Sequence, residues 1–247
     1  MAAALYKTEA IVLRGYPFGE ADRVIVLQTA EHGKVRAVAK GVARGKSRLA
    51  AAVQPFTHGS YLLWQGRELD GISQADIVRP SHLLTADLAT LAAAAYAVEL
   101  VDSFWEDRQE APEAFALLRE SLDWLSGGGA PGPAFLRRLE LQVLATAGFA
   151  PELEACVQCG RSLADGARYV PGRGGLCCPA CGGEGRLLSP AAAGWLRALA
   201  RTGLDHLPPL PAAGAADVAA ALYGHVTYVL GRPLRSRGML ETLALKP

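Results

Sequence analysis

No stretch of the 247 residues stays apolar and free of charge for the roughly 18 to 20 positions that a bilayer-crossing helix needs. The N-terminal stretch MAAALYKTEAIVLRG has neither the basic leader nor the sustained apolar core of a secretory signal. These two absences predict a soluble, unexported, cytoplasmic protein with no membrane partner. Recognisable catalytic patterns are missing too. GVARGKS resembles a phosphate-binding loop but has three residues between its glycines instead of four, and it lacks strand-then-helix context. Neither element of a zinc deaminase is present: there is no H-x-E, and the proline sits inside the C-x-x-C knuckle instead of before it. His32, His58, His82, His206 and His225 are scattered and read as surface or packed residues. The chain is therefore expected not to be an enzyme, and a metal-dependent hydrolase ranks below any binding function. Cysteine is scarce and localised: all five lie between Cys156 and Cys181. An odd number in so short a span suits a reducing compartment and a metal site better than a disulfide framework.

Hydrophobic residues make up 51% and charged residues 20%, which is enough to bury a core, and the length suits two or three small domains. A net charge of +1 hides an asymmetry. Residues 1–80 carry 11 Lys and Arg against 7 Asp and Glu, residues 81–155 carry 4 against 12, and residues 156–247 carry 10 against 5. Basic ends flanking an acidic middle suggest a polyanionic partner for the ends.

From Thr8 to Ile77 the pattern is short period-2 segments between turn residues: EAIVLRGY, DRVIVLQT, GKVRAVAKG, GSYLLW and ELDGISQADIV. PFGEAD and AEHG connect the first three. Five short strands in so few residues predict a small barrel, and an OB-fold has that strand count. In the third strand, alternation sends Val35, Ala37 and Ala39 to one face and Lys34, Arg36 and Lys40 to the other. Lys34 and Arg36 are then about 6.6 Å apart, a spacing able to follow successive phosphates. Arg44, Lys46 and Arg48 extend the cationic run, and no acid occurs between Glu31 and Glu68. A solvated basic strand is the plainer reading; the one-sided alternation and the acid-free window favour nucleic-acid binding. Tyr16, Phe18, Phe56, Tyr61 and Trp64 read first as core or cross-strand residues and second as base-stacking groups.

After Pro80 the texture becomes alanine- and leucine-rich with helical spacing, as at Tyr96, Leu100, Val101 and Phe104, and later at Leu136, Leu139, Val143 and Leu144. GGGAPGP interrupts these helices, and Gly148 with Pro151 ends the last of them. The acidic surplus here reads as a solvated helix face. CVQCG and CPACG are two C-x-x-C knuckles 18 residues apart, the pattern of a tetrahedral four-cysteine zinc site. Cys178 with Cys181 makes the second knuckle. Cys177 points the opposite way from its neighbour and is expected to be a bystander. Cys156, Cys159, Cys178 and Cys181 are thus the expected ligands of one structural Zn2+ per chain. Ser189 and Pro190 read as a helix start, and a further helix runs through Ala219, Leu222, Val226 and Leu230. Arg232, Arg235 and Arg237 in the tail are read equally as DNA contacts or as helix-terminal cations.

Taken in order, EAIVLRGYPFGEADRVIVLQT, GKVRAVAKGVARGKSR, QPF, AYAVEL, C-x-x-CG, GG-x-C-C-x-x-C and LRSRGML resemble the bacterial recombination mediator RecO family nearly end to end. The resemblance implies an α+β multidomain chain: an OB-fold over 1–80, a helical domain over 81–155 and 186–247, and a four-cysteine zinc ribbon inserted at 156–185. It also implies a nucleoid-associated DNA-repair protein that breaks no bond, binds single- and double-stranded DNA and anneals complementary strands. With RecR it would help RecA replace single-strand-binding protein, whose C-terminal tail it would bind through the helical domain. The basic segment carrying Lys34, Arg36, Lys40, Arg44, Lys46 and Arg48 matches the family's DNA-binding barrel. The family's metal cysteines fall on the four named above. The alternative of another class is a zinc-ribbon and OB-fold interaction adaptor whose basic face is incidental.

Overall fold

The computed structural model describes residues 4–44, 47, 49–163, 166–181, 183–211 and 213–243. They form two compact units that divide at Gly127 and Gly128.

The first unit is built on β1 (Leu5–Phe18), β2 (Asp22–Thr29), β3 (Lys34–Ala39), β4 (His58–Trp64) and β5 (Asp70–Arg79). These close into a barrel in the order β1-β2-β3-β5-β4, with β3 and β5 parallel and the other pairs antiparallel. A closed five-stranded barrel of this order is the OB-fold, and closure leaves no sheet edge exposed. β1 runs further than its alternation suggests. Tyr16, Pro17 and Phe18 pair with Val24, Arg23 and Asp22 instead of lying in a turn, so the hairpin reverses tightly at Gly19. The barrel interior holds Val35, Ala37 and Ala39 of β3 with Val12, Ile25, Leu27, Tyr61, Leu63 and Ile72. Alternation along β3 therefore gave the inward set correctly. In the connection between β3 and β4, Val42 and Val53 join this core. Tyr61 Oη donates to Ala52 O at 2.6 Å, fixing that connection from inside.

Three helices complete the first unit: α1 (His82–Thr85), α2 (Leu88–Phe104) and α3 (Pro112–Ser126). Asp87 caps α2 by accepting from Thr90 N at 2.8 Å, and α3 begins on Pro112, where the missing N–H costs nothing. Apolar faces of both helices pack against each other and against β1. Between them, residues 105–111 return to the start of β3, where Arg108 N donates to Lys34 O at 2.8 Å. Gly33 makes this approach possible. Its φ is +63°, and a Cβ there would lie 1.9 Å from Gln109 O.

The second unit contains α4 (Pro133–Thr146), a three-stranded sheet of β6 (Ala167–Val170), β7 (Gly175–Cys177) and β8 (Arg186–Leu188), and then α5 (Pro190–Arg201), α6 (Ala215–Leu230) and α7 (Arg237–Thr242). The sheet order is β7-β6-β8. As its sequence predicts, α5 starts with Ser189 accepting from Ala192 N and with Pro190 in the first turn. α4 packs on α5 and α6. On α4, the fully buried Arg137 and Glu140 form a two-point ion pair at 2.6 and 2.7 Å. The buried Tyr169 Oη of β6 lies 2.7 Å from His225 Nδ1 on α6, tying the small sheet to the helices. No helix among the described residues is long and apolar enough to cross a membrane.

Candidate nucleic-acid interface and metal centre

Of the six cations expected to meet DNA, the four that lie among the described residues do not share one environment. Lys40 and Arg44 are exposed at and beyond the end of β3. Arg36 is exposed but its Nε lies 2.7 Å from Asp107 Oδ2. Lys34, expected on the open outer face, is instead covered, with 7% of its side chain accessible. Its Nζ donates to Asp102 O at 2.6 Å and to Asp102 Oδ1 at 3.1 Å, with Asp107 Oδ1 at 3.9 Å. The physical reason is that the last turn of α2 and the connection after it bring Asp102 and Asp107, two acids of the middle segment, onto the first residues of β3. Lys46 and Arg48 lie outside the described residues.

One cation escaped the sequence reading. Arg14 of β1 donates from Nε to Asp102 Oδ2 at 2.6 Å. Burial pushes the Asp102 carboxyl up, but the Arg14 hydrogen bond and the Lys34 charge outweigh it and hold it below the ordinary carboxylate range. Part of the acidic surplus thus neutralises the basic barrel from within the unit. No spacing rule connects residue 34 to residues 102 and 107, so only the fold reveals it.

The upper end of β3 differs in kind. Here Lys40 Nζ stands 5.9 Å from the ring centroid of Trp64, and Gly41 N donates to Asp22 Oδ1 at 2.7 Å, fixing the turn that leaves the strand. What remains accessible is a cationic corner beside the connection from β4 to β5, one of the regions with which OB-folds hold oligonucleotides. In the tail, Arg237 lies 3.6 Å from the centre of the Tyr223 ring and donates to Glu241 at 2.7 Å. Its contacts are therefore internal.

The cysteines come together as their spacing predicts. Sγ atoms of Cys156, Cys159, Cys178 and Cys181 all lie within 4.8 Å of one another, and Cys159 and Cys178 are 3.9 Å apart. A tetrahedral ion with arms of about 2.3 Å has sulfur–sulfur edges of about 3.8 Å, so the cluster has the size of a metal site. Each knuckle is closed by a backbone bond, Gly160 N to Cys156 O at 2.8 Å and Cys181 N to Cys178 O at 3.0 Å. The thiols also oppose one another electrically. Backbone donation from Cys178 brings the Cys156 thiol down to about 6, whereas hydrogen bonding with Cys178 and Cys159 pushes Cys181 up to about 12. Four thiolates at this separation require a cation between them. Cys177 is fully buried in β7 and outside the cluster. The first knuckle is held to the sheet by Val157 N donating to Leu176 O at 2.9 Å.

An OB-fold barrel with a cationic corner is followed in the chain by a helical unit with four clustered cysteines that could hold a metal ion. Sequence comparison identifies the family. The family model for Recombination protein O N terminal matches residues 1–81, and that for Recombination protein O C terminal matches residues 85–238. The chain belongs to this RecO family. A DNA repair protein RecO from Symbiobacterium thermophilum is 39% identical over 250 residues, covering 97% of this chain and 98% of the relative. Proteins of the same name from Desulforudis audaxviator and a Nocardioides species are 37% and 36% identical, covering 97% and 96% of this chain and 98% and 99% of the relatives.

Proposed function

We propose that this protein is a recombination mediator in DNA repair. It binds single- and double-stranded DNA, anneals complementary strands and, with RecR, helps RecA load onto DNA coated with single-strand-binding protein. Family membership along nearly the whole chain is the observation that carries this reading. The exposed cations at the end of β3 support it chemically. Lys40 and Arg44, continued in sequence by Lys46 and Arg48, neutralise phosphates and release counterions, which lowers the repulsion that opposes pairing of two strands. Arg36 contributes when phosphate competes with Asp107. Lys34 serves the barrel rather than the DNA. Annealing of this kind needs no general base, nucleotide or bond cleavage.

Zn2+ is the ion proposed for the four-cysteine centre, one per chain. Cys156, Cys159, Cys178 and Cys181 would hold it, and with all four sites supplied by thiolate its role is structural. It would fix two knuckles and three short strands of a segment too small to supply its own core. RecR and the C-terminal tail of single-strand-binding protein are the proposed protein partners, the tail meeting the helical domain, with RecA linked functionally.

The test is annealing of complementary strands coated with single-strand-binding protein, with and without RecR. Acceleration by this protein, and RecR-dependent loading of RecA, are expected. Binding of RecR or single-strand-binding protein with no affinity for DNA at any salt concentration would make the protein an interaction adaptor instead.

A further inference from the structure

Trp64 is the aromatic residue whose setting differs most from a core or cross-strand role. It is the last residue of β4 and pairs with Gly71 of β5, which in turn pairs with Val38 of β3. Its neighbour Leu63 points into the barrel core, so Trp64 points outward, as do Val38 and Lys40. A Cβ on Gly71 would lie 1.9 Å from Trp64 Cε2 and 2.1 Å from both Cζ2 and Nε1. The edge of the indole that carries Nε1, Cε2 and Cζ2 therefore occupies the space a side chain at residue 71 would need. Gly71 does not have a left-handed backbone, so its lack of a side chain serves space and not conformation. The indole remains partly exposed, and the Lys40 ammonium stands over it, 5.9 Å from the ring centroid.

We propose that Trp64 is a base-stacking platform for single-stranded nucleic acid, with Lys40 holding the adjoining phosphate; this rests on the DNA-binding reading above. An indole held against main chain presents a partly exposed π-surface beside the Lys40 ammonium, and every base can stack on such a surface whatever the sequence. Lys40 supplies a neighbouring charge of the right sign, while Asp22 at the same corner is engaged by Gly41 N at 2.7 Å. Because bases in a duplex are already stacked, the platform selects unpaired strands. It adds to the phosphate contacts a term that does not depend on salt.

The test compares three probes of equal length: oligo(dT), an abasic strand with the same backbone, and duplex DNA. Wild-type protein should bind oligo(dT) more tightly than the abasic strand. Trp64→Leu should weaken oligo(dT) binding about 5- to 100-fold, the range for loss of one base–aromatic stack, while leaving abasic and duplex binding and the salt slope unchanged. Trp64→Phe, which keeps a π-face, should recover most of the loss. Equal wild-type affinity for oligo(dT) and the abasic strand would overturn the platform, as would a Trp64→Leu variant that loses all three probes alike. Absence of salt-dependent DNA binding by the wild type would instead sink the underlying reading of function.

Discussion

Replacing Lys34 with methionine keeps the unbranched side chain to within one atom of its length and removes its charge from a place where 7% of it is accessible. The ammonium currently faces Asp102 O at 2.6 Å and Asp102 Oδ1 at 3.1 Å. Removing one partner of a buried pair costs about 3–5 kcal/mol, because the remaining charge is left uncompensated. Asp102 keeps Arg14 at 2.6 Å, so the expected loss at neutral pH falls to about 2–3 kcal/mol, at or just below the lower limit of that range. Urea unfolding followed by circular dichroism measures it. The pH dependence has a fixed sign. A carboxyl held below its unfolded value stabilises the fold above that value, and the contribution is lost as pH falls through its folded value. In Lys34→Met the carboxyl is held down less, so the stability gap between variant and wild type should narrow as pH falls below about 4. DNA binding should keep the wild-type salt slope. A variant of unchanged stability whose slope drops by about 0.7 would refute the assignment and return Lys34 to the phosphate contacts.

Four further substitutions probe the remaining structural claims. Gly33→Ala must place a Cβ 1.9 Å from Gln109 O at a φ of +63°, and should destabilise the protein by about 2–6 kcal/mol in urea unfolding. Gly19→Ala, at a φ of +64° with nothing within 4 Å, should cost only about 1–2 kcal/mol; equal effects would mean that the α2–α3 connection is not pressed on β3. Elemental analysis of purified Cys178→Ser should show loss of the metal and Cys177→Ser retention of one ion per chain, with zinc as the metal found. The reverse pattern would show that the wrong one of the two adjacent sulfurs had been assigned to the cluster.

Much of the fold was legible because it is written in local pattern. Alternation placed Val35, Ala37 and Ala39 in the barrel core, and the Ser189–Pro190 pair marked the start of α5. Of the two adjacent cysteines, the knuckle spacing selected Cys178, and the structure gathers it with the other three. Illegible features depend on residues far apart in the chain. Alternation correctly put Lys34 on the outer side of β3 but is silent on what packs over that side, and the covering acids lie 68 and 73 residues further along. The same blindness hid Arg14, whose partner Asp102 is 88 residues away. For Trp64 the sequence showed only an aromatic residue near basic ones. Its seat on Gly71 depends on a register shift in the β4–β5 pairing, between Leu62 and Leu63, which no periodicity predicts.

Single-strand binding measured over a range of salt concentrations tests the central claim most directly. If Lys40 and Arg44 each neutralise a phosphate, the double variant Lys40→Glu, Arg44→Glu should bind all sequences more weakly. Its log–log salt slope should flatten by about 1.4, about 0.7 for each lost contact. A double variant with wild-type affinity and an unchanged slope would place the DNA on another surface of the protein.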